Sequence, residues 1–152
     1  MPNGSPAKSD PVLDFLRLMW AVDHQLQSVS KRMLVDLGLT GPQRLAVRFI
    51  GRQPGLAAGE LAALLHLDPG TITGILRRLE EAQVITRTRD ASDSRRVRLT
   101  LTARGQTINR RRNGTIESAV RRALSSVADA DMRATGRVLK VLAEELGSEA
   151  TR

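Results

Sequence analysis

The chain has 152 residues, enough for one domain with helical extensions, and lacks cysteine, which excludes disulfides, thiolate metal sites and thiol redox switches. Its 24 Lys and Arg outnumber 16 Asp and Glu, a net charge of +8, and the pI is near 11.4. A polyanionic partner is expected, with nucleic acid ahead of an acidic membrane surface. The opening MPNGSPAKSD lacks the apolar core of a signal peptide, and no apolar run approaches a membrane span, so the expectation is a soluble cytoplasmic protein with no membrane partner.

Residues 1–10 are polar and contain Pro2, Gly4 and Pro6, which predicts a disordered tail. Over 11–37, Val12, Phe15, Leu16, Met19, Val22, Leu26, Val29 and Met33 keep helical spacing. Leu13, Trp20, His24 and Gln27 fall on nearly the opposite side of that helix. Two useful faces predict two packing partners, the helix's own domain and a second subunit.

Gly38 closes this helix, and Thr40 with Pro42 opens another that carries Leu45, Val47, Phe49 and Ile50 before QPG at 53–55 breaks it. A short third helix fits Ala58–His66 and should bury Leu61, Leu64 and Leu65. Asp68 then caps a fourth with Pro69 in its first turn. Ile72, Ile75, Leu76 and Leu79 point inward there, leaving Thr71, Thr73, Gly74 and Arg77 outward.

From Ile85 the period becomes two. Residues 84–89 and 96–102 are β-branched and alternating, so they read as the arms of a hairpin joined by the polar ASDS. Residues 87–104 alone carry a net +4, half the net charge of the chain. Beyond Gly105 the pattern is helical again, with Asn113-Gly114 expected to bend a long helix.

Two short helices on a tight turn followed by a basic hairpin predict a mainly α fold with a small β-hairpin, a winged helix-turn-helix over 38–105. The dimerisation helices are expected at 11–37 and 106–152. An α-helix fits the major groove and a basic wing reaches the adjacent minor groove, so double-stranded DNA is the expected partner. The stretches ELAALLHLDPGTITGILRRLEEAQVITR (60–87) and DASDSRRVRLTLTARG (90–105) resemble the MarR (multiple antibiotic resistance regulator) family of winged-helix transcription factors. The likeness spans roughly residues 12–146.

The resemblance implies a homodimer with interlocked first and last helices, acting as a repressor that a small aromatic or phenolic effector relieves. It implies that Pro69, Gly70, Thr71, Thr73, Gly74 and Arg77 of a recognition helix over Pro69–Gln83, with Arg87 and Arg96 of the wing, meet DNA. It further implies that Asp93 grips the guanidinium of Arg95 and that Arg95 enters the minor groove. Trp20 and His24, one helical turn apart, are the candidate effector-binding pair, lining a cavity between the first helix and the DNA-binding lobe, with ordinary dimer or core packing as the competing and favoured reading. The chain departs from the family pattern at Ala91, often proline, and Ser94, often arginine. It departs again at His66 and Gln83, both often glycine.

His24 and His66 lie far apart with no ligand spacing, so neither a metal nor a cofactor is expected. No nucleophile-base arrangement or phosphate-binding glycine loop is recognisable, which argues against an enzyme. Arg110–Arg112 are expected on a solvated face. A nonspecific architectural DNA-binding protein, or an interaction module on a winged-helix scaffold, are the competing readings.

Overall fold

The computed structural model describes residues 10–152; the predicted tail lies outside the described residues except for Asp10. That residue is structured. Its carboxylate accepts from the N–H groups of Val12 (2.9 Å) and Leu13 (3.4 Å) and caps α1 (Pro11–Leu37). Gly38 at φ 71° ends α1. Thr40 and Gln43 then exchange hydrogen bonds as a capping box at the start of α2 (Gly41–Arg52).

Helix α2 buries Ala46, Val47 and Ile50, but Leu45 is exposed and Arg44 is buried, contrary to the simple apolar expectation. The two-residue strand β1 (Leu56–Ala57) was not anticipated, being too short to show a period of two. Helix α3 (Ala58–Leu65) buries Leu61 and Ala62. Leu64 stays 47% exposed, because it projects well away from the direction shared by Leu61 and Leu65.

Helix α4 (Pro69–Glu81) places Ile72, Leu76 and Leu79 in the core, with Ile75 packed against it. Strands β2 (Ile85–Arg89) and β3 (Val97–Leu101) pair antiparallel from Ile85–Leu101 to Arg89–Val97. The expected hairpin is thus part of a three-stranded sheet in the order β1-β3-β2, with Leu56 opposite Leu99.

The left-handed turns after α3 and α4 explain the two unusual residues. Among the described residues, His66 (φ 51°) and Gln83 (φ 56°) are the non-glycine positions with positive φ. Both helices close alike: Leu67 N donates to Ala62 O at 3.0 Å and Val84 N to Leu79 O at 2.8 Å. Glycine suits this backbone best, so each side chain costs about 1 kcal/mol of strain.

The expected single long helix is instead two, α5 (Ala103–Arg110) and α6 (Ile116–Leu124), followed by α7 (Asp129–Ala150). Gly114 at φ 72° leaves helical geometry, and Thr115 starts α6 afresh by accepting from Ser118 N. The core lies between α2, α3, α4 and the sheet. Helix α1 buries only Met33, and α6 and α7 bury nothing. No helix among the described residues is long and apolar enough to cross a membrane.

Candidate nucleic-acid interface

Helix α4 is held at its N-terminus by Asp68. One carboxylate oxygen accepts from Thr71 N at 2.9 Å and the other from the Thr71 hydroxyl at 2.5 Å. The hydroxyl bond, then the N–H bond, hold the Asp68 pKa below the ordinary carboxylate value. Thr73 donates its hydroxyl proton to Pro69 O at 2.7 Å. Both threonine protons are therefore committed within the helix, leaving methyl groups and acceptor lone pairs to the outside.

The other expected groove residues share this exposed side. Pro69 and Gly70 form the first turn, and a Cβ built on Gly74 meets nothing within 4 Å. The Arg77 side chain is 68% exposed, and its only ion pair among the described residues is a 3.9 Å approach to Glu81. Such a pair holds weakly, so the guanidinium is free to turn toward an anion.

In the wing, the predicted grip of Asp93 on the Arg95 guanidinium is corrected. Asp93 accepts from the backbone N–H of Arg95 at 3.0 Å and lies 3.8 Å from Arg96 Nε. The two residues are two positions apart in a tight turn, so the carboxylate reaches the near backbone N–H. Arg95 is exposed, and its guanidinium has no partner among the described residues.

The forked contact belongs to Asp90, which sequence reasoning did not single out. One oxygen of Asp90 accepts from Ser92 N (2.9 Å) and the Ser92 hydroxyl (2.7 Å). The other accepts from Arg98 Nε (2.7 Å) and lies 2.6 Å from Arg98 Nη2 as an ion pair. These bonds, Ser92 first and then Arg98, push the Asp90 pKa far below its ordinary value. Arg98 also donates to Gly55 O at 3.0 Å, so one arginine ties the wing base to the turn before β1.

Arg87 faces the other way. It stands opposite the buried Leu99, and its Nε lies 3.1 Å from Glu80 of α4. That Nε is buried without an aligned hydrogen bond, so charge attraction to Glu80 holds it. Arg87 thus braces the wing against the recognition helix.

The closing LTARG fixes where the wing leaves the lobe. The Thr102 hydroxyl donates to Gln83 O at 2.6 Å and accepts from Gly105 N at 3.0 Å. A Cβ on Gly105 would collide with Val84 O, so the close approach of α5 to the end of α4 requires glycine.

Neither Trp20 nor His24 lines the apolar cleft between α1 and α7. Trp20 is 65% exposed, and the cleft, about 580 Å³, is lined from the opposite side of α1 by Phe15, Leu18, Met19, Val22 and Leu26. Ala134, Val138 and Leu139 close it from α7. No cluster of three potential metal ligands exists among the described residues.

Comparison with known proteins accords with this geometry. The sequence pattern described as MarR family matches residues 39–97. The HTH-type transcriptional repressor Rv2887 of Mycobacterium tuberculosis is 32% identical over 132 residues, covering 87% of this chain and 92% of the relative. A crystal structure of Rv2887 in complex with p-aminosalicylic acid is 30% identical, with a TM-score of 0.55 over 83% of this chain and 95% of that one. A crystal structure of MarR is also 30% identical, with a TM-score of 0.60 over 90% and 98%. The chain belongs to the MarR family and carries its winged helix-turn-helix.

Proposed function

We propose that this protein is a homodimeric, sequence-specific DNA-binding transcriptional regulator, a repressor acting on a pseudo-palindromic operator. One observation carries the reading. A lobe with a packed core presents the exposed face of α4, with Thr73, Gly74 and Arg77, beside a wing whose Arg95 is exposed and unpaired among the described residues. Side chains already committed inside the protein would have to break those bonds to read DNA, whereas Arg95 has none to break, Arg77 has only a weak ion pair, and Thr73 still offers its methyl group and acceptor lone pairs. Thr71, Arg96 and the first turn at Pro69 and Gly70 complete the surface, and Arg87 and Asp93 act by holding its shape. The relatives' names support repression.

In a symmetric dimer the two recognition helices enter successive major grooves, with half-sites about 34–36 Å apart. Selection of bound fragments from genomic DNA with the purified protein should enrich one inverted-repeat motif, and recovery without a shared motif would support an architectural role instead. Arg95→Ala should weaken binding to that motif about thirtyfold while leaving the oligomer unchanged. Unchanged affinity would remove Arg95 from the mechanism.

Relief by a small aromatic or phenolic anion is the second layer of the proposal. The p-aminosalicylic acid complex of the Mycobacterium relative supports it. A ligand shifts the DNA-binding equilibrium only through differential affinity for the two states. Calorimetry should therefore show binding that DNA opposes, and Trp20→Ala with His24→Ala should weaken it; unchanged binding would remove that pair from the site. The role is regulatory rather than catalytic, in the cytoplasm, with no cofactor.

A further inference from the structure

The junction between α5 and α6 gathers cations that no role above uses. Arg44 is buried and donates Nε (2.8 Å) and Nη2 (2.5 Å) to Glu117 Oε1. Its Nη1 donates to Ile108 O, and Nη2 also donates to Arg111 O at 2.6 Å. Arg48 donates Nη1 to the Asn109 side chain at 2.7 Å and to Asn109 O at 3.0 Å, with its Nε 3.5 Å from the same Glu117 oxygen. Arg112 donates Nη1 to that same Asn109 O at 2.6 Å.

Three guanidiniums are thus strung along two oxygens, Glu117 Oε1 and Asn109 O. Glu117 is the one carboxylate paired with them among the described residues. Burial, and then the nearby charges of Arg112 and Arg44, lower the Arg48 pKa, and Arg121 on α6 adds to the repulsion. Helix ends do not restore the balance. The carbonyl end of α5 is partly negative, but the N-terminus of α6 follows within a few residues and brings an equal positive end.

Capping of α5 accounts for Arg44, which spends its donors on carbonyls and Glu117. It leaves Arg48 and Arg112 half used. Nη2 of Arg48, and Nε and Nη2 of Arg112, donate to nothing among the described residues. Two guanidinium heads that converge on one neutral carbonyl, each with idle donors, fit an oxyanion that takes one fork from each.

We propose that Arg48 and Arg112 form a binding site for a compact oxyanion, a phosphate or a carboxylate, at the α5–α6 junction. The anion supplies the missing negative charge and bridges α2 of the DNA-binding lobe to the C-terminal helices. Occupancy therefore stabilises that connection by mass action. The site does not depend on the DNA-binding reading.

The test titrates the full chain, without DNA, with inorganic phosphate and separately with acetate, in chloride buffer at constant ionic strength. Calorimetry should show saturable binding of at least one anion at one site per chain, and the tighter anion identifies the source. Arg112→Gln, at an exposed position, should weaken that binding about tenfold with an unchanged circular dichroism spectrum. Arg95→Gln in the wing should leave it intact. Absence of saturable binding by either anion, as when a carboxylate of a second copy already neutralises the pair, overturns the proposal. So does binding that survives Arg112→Gln.

Discussion

The lobe from α2 to β3 and the outer helices α1, α6 and α7 use similar apolar side chains to opposite effect. In the lobe, Val47, Ile50, Leu61, Leu79 and Leu99 exclude water completely. On the outer helices, Val12, Trp20, Val141 and Leu146 each leave more than half their surface exposed. At about 25 cal/mol per Å² of apolar surface removed from water, one chain gains most of this stabilisation in the lobe, with Met33 the one buried apolar side chain of the outer helices. The lobe has a core of its own, whereas the outer helices leave apolar surface exposed, the surface that the proposed homodimer would cover. On that proposal the contrast separates what folds the DNA-binding lobe from what sets the distance between two of them.

Substitutions can break or sharpen the contrast. The largest effect is expected inside the lobe. Leu76→Ala leaves a cavity in a fully packed site and should cost about 3 kcal/mol, seen in denaturant unfolding as a loss independent of protein concentration. Next is the tie between the two regions. Arg44→Met leaves Glu117 with only the 3.5 Å approach of Arg48 and should cost about 2 kcal/mol, below the range for a fully buried pair because Glu117 is partly exposed and keeps that second cation.

Glu117 adds a pH signature to that tie. Burial alone would raise its pKa, but the Arg44 hydrogen bond, its own backbone bond and the charges of Arg44 and Arg48 together lower it. A depressed folded pKa means the stabilisation is fully present above the unfolded value, about 4.3, and fades as acid carries the pH down through the folded one. Glu117→Gln should flatten the acid limb of the stability profile.

Smaller effects belong to the outer helices and the turns. Leu139→Ala, in the α1–α7 cleft, should raise the dimer dissociation constant about tenfold in sedimentation measurements. The lobe should keep its hydrogen-exchange protection in that variant. His66→Gly should gain about 1 kcal/mol by relieving the left-handed turn after α3, read as a higher Tm. A loss there would show that the histidine has a contact the fold depends on.

Much of this was legible in the sequence, for physical reasons that differ by region. Strong local signals placed the helices: the Thr40 and Asp68 caps, Pro69, Gly38, and the change to a period of two at Ile85. The odd residues at 66 and 83 were recognisable because glycine was the expected occupant, and both have left-handed backbones. Long-range polar partnerships were not legible. Nothing local says that Arg44 will be buried against Glu117, 73 positions later. Asp90 was overlooked because its partner, Arg98, lies on the far arm of the hairpin, and only the register brings them together. Strand β1 escaped because two residues carry no period.

The proposed function requires that the exposed faces of α4 and the wing read sequence rather than charge alone. The direct measurement compares affinity for the selected inverted repeat with affinity for a scrambled duplex of equal length, across a salt series. Nonspecific and specific binding both weaken steeply with salt, because both release counterions from phosphates. At fixed salt near physiological strength, the account predicts a preference of about a thousandfold or more for the repeat. A ratio near one at every salt concentration would contradict it.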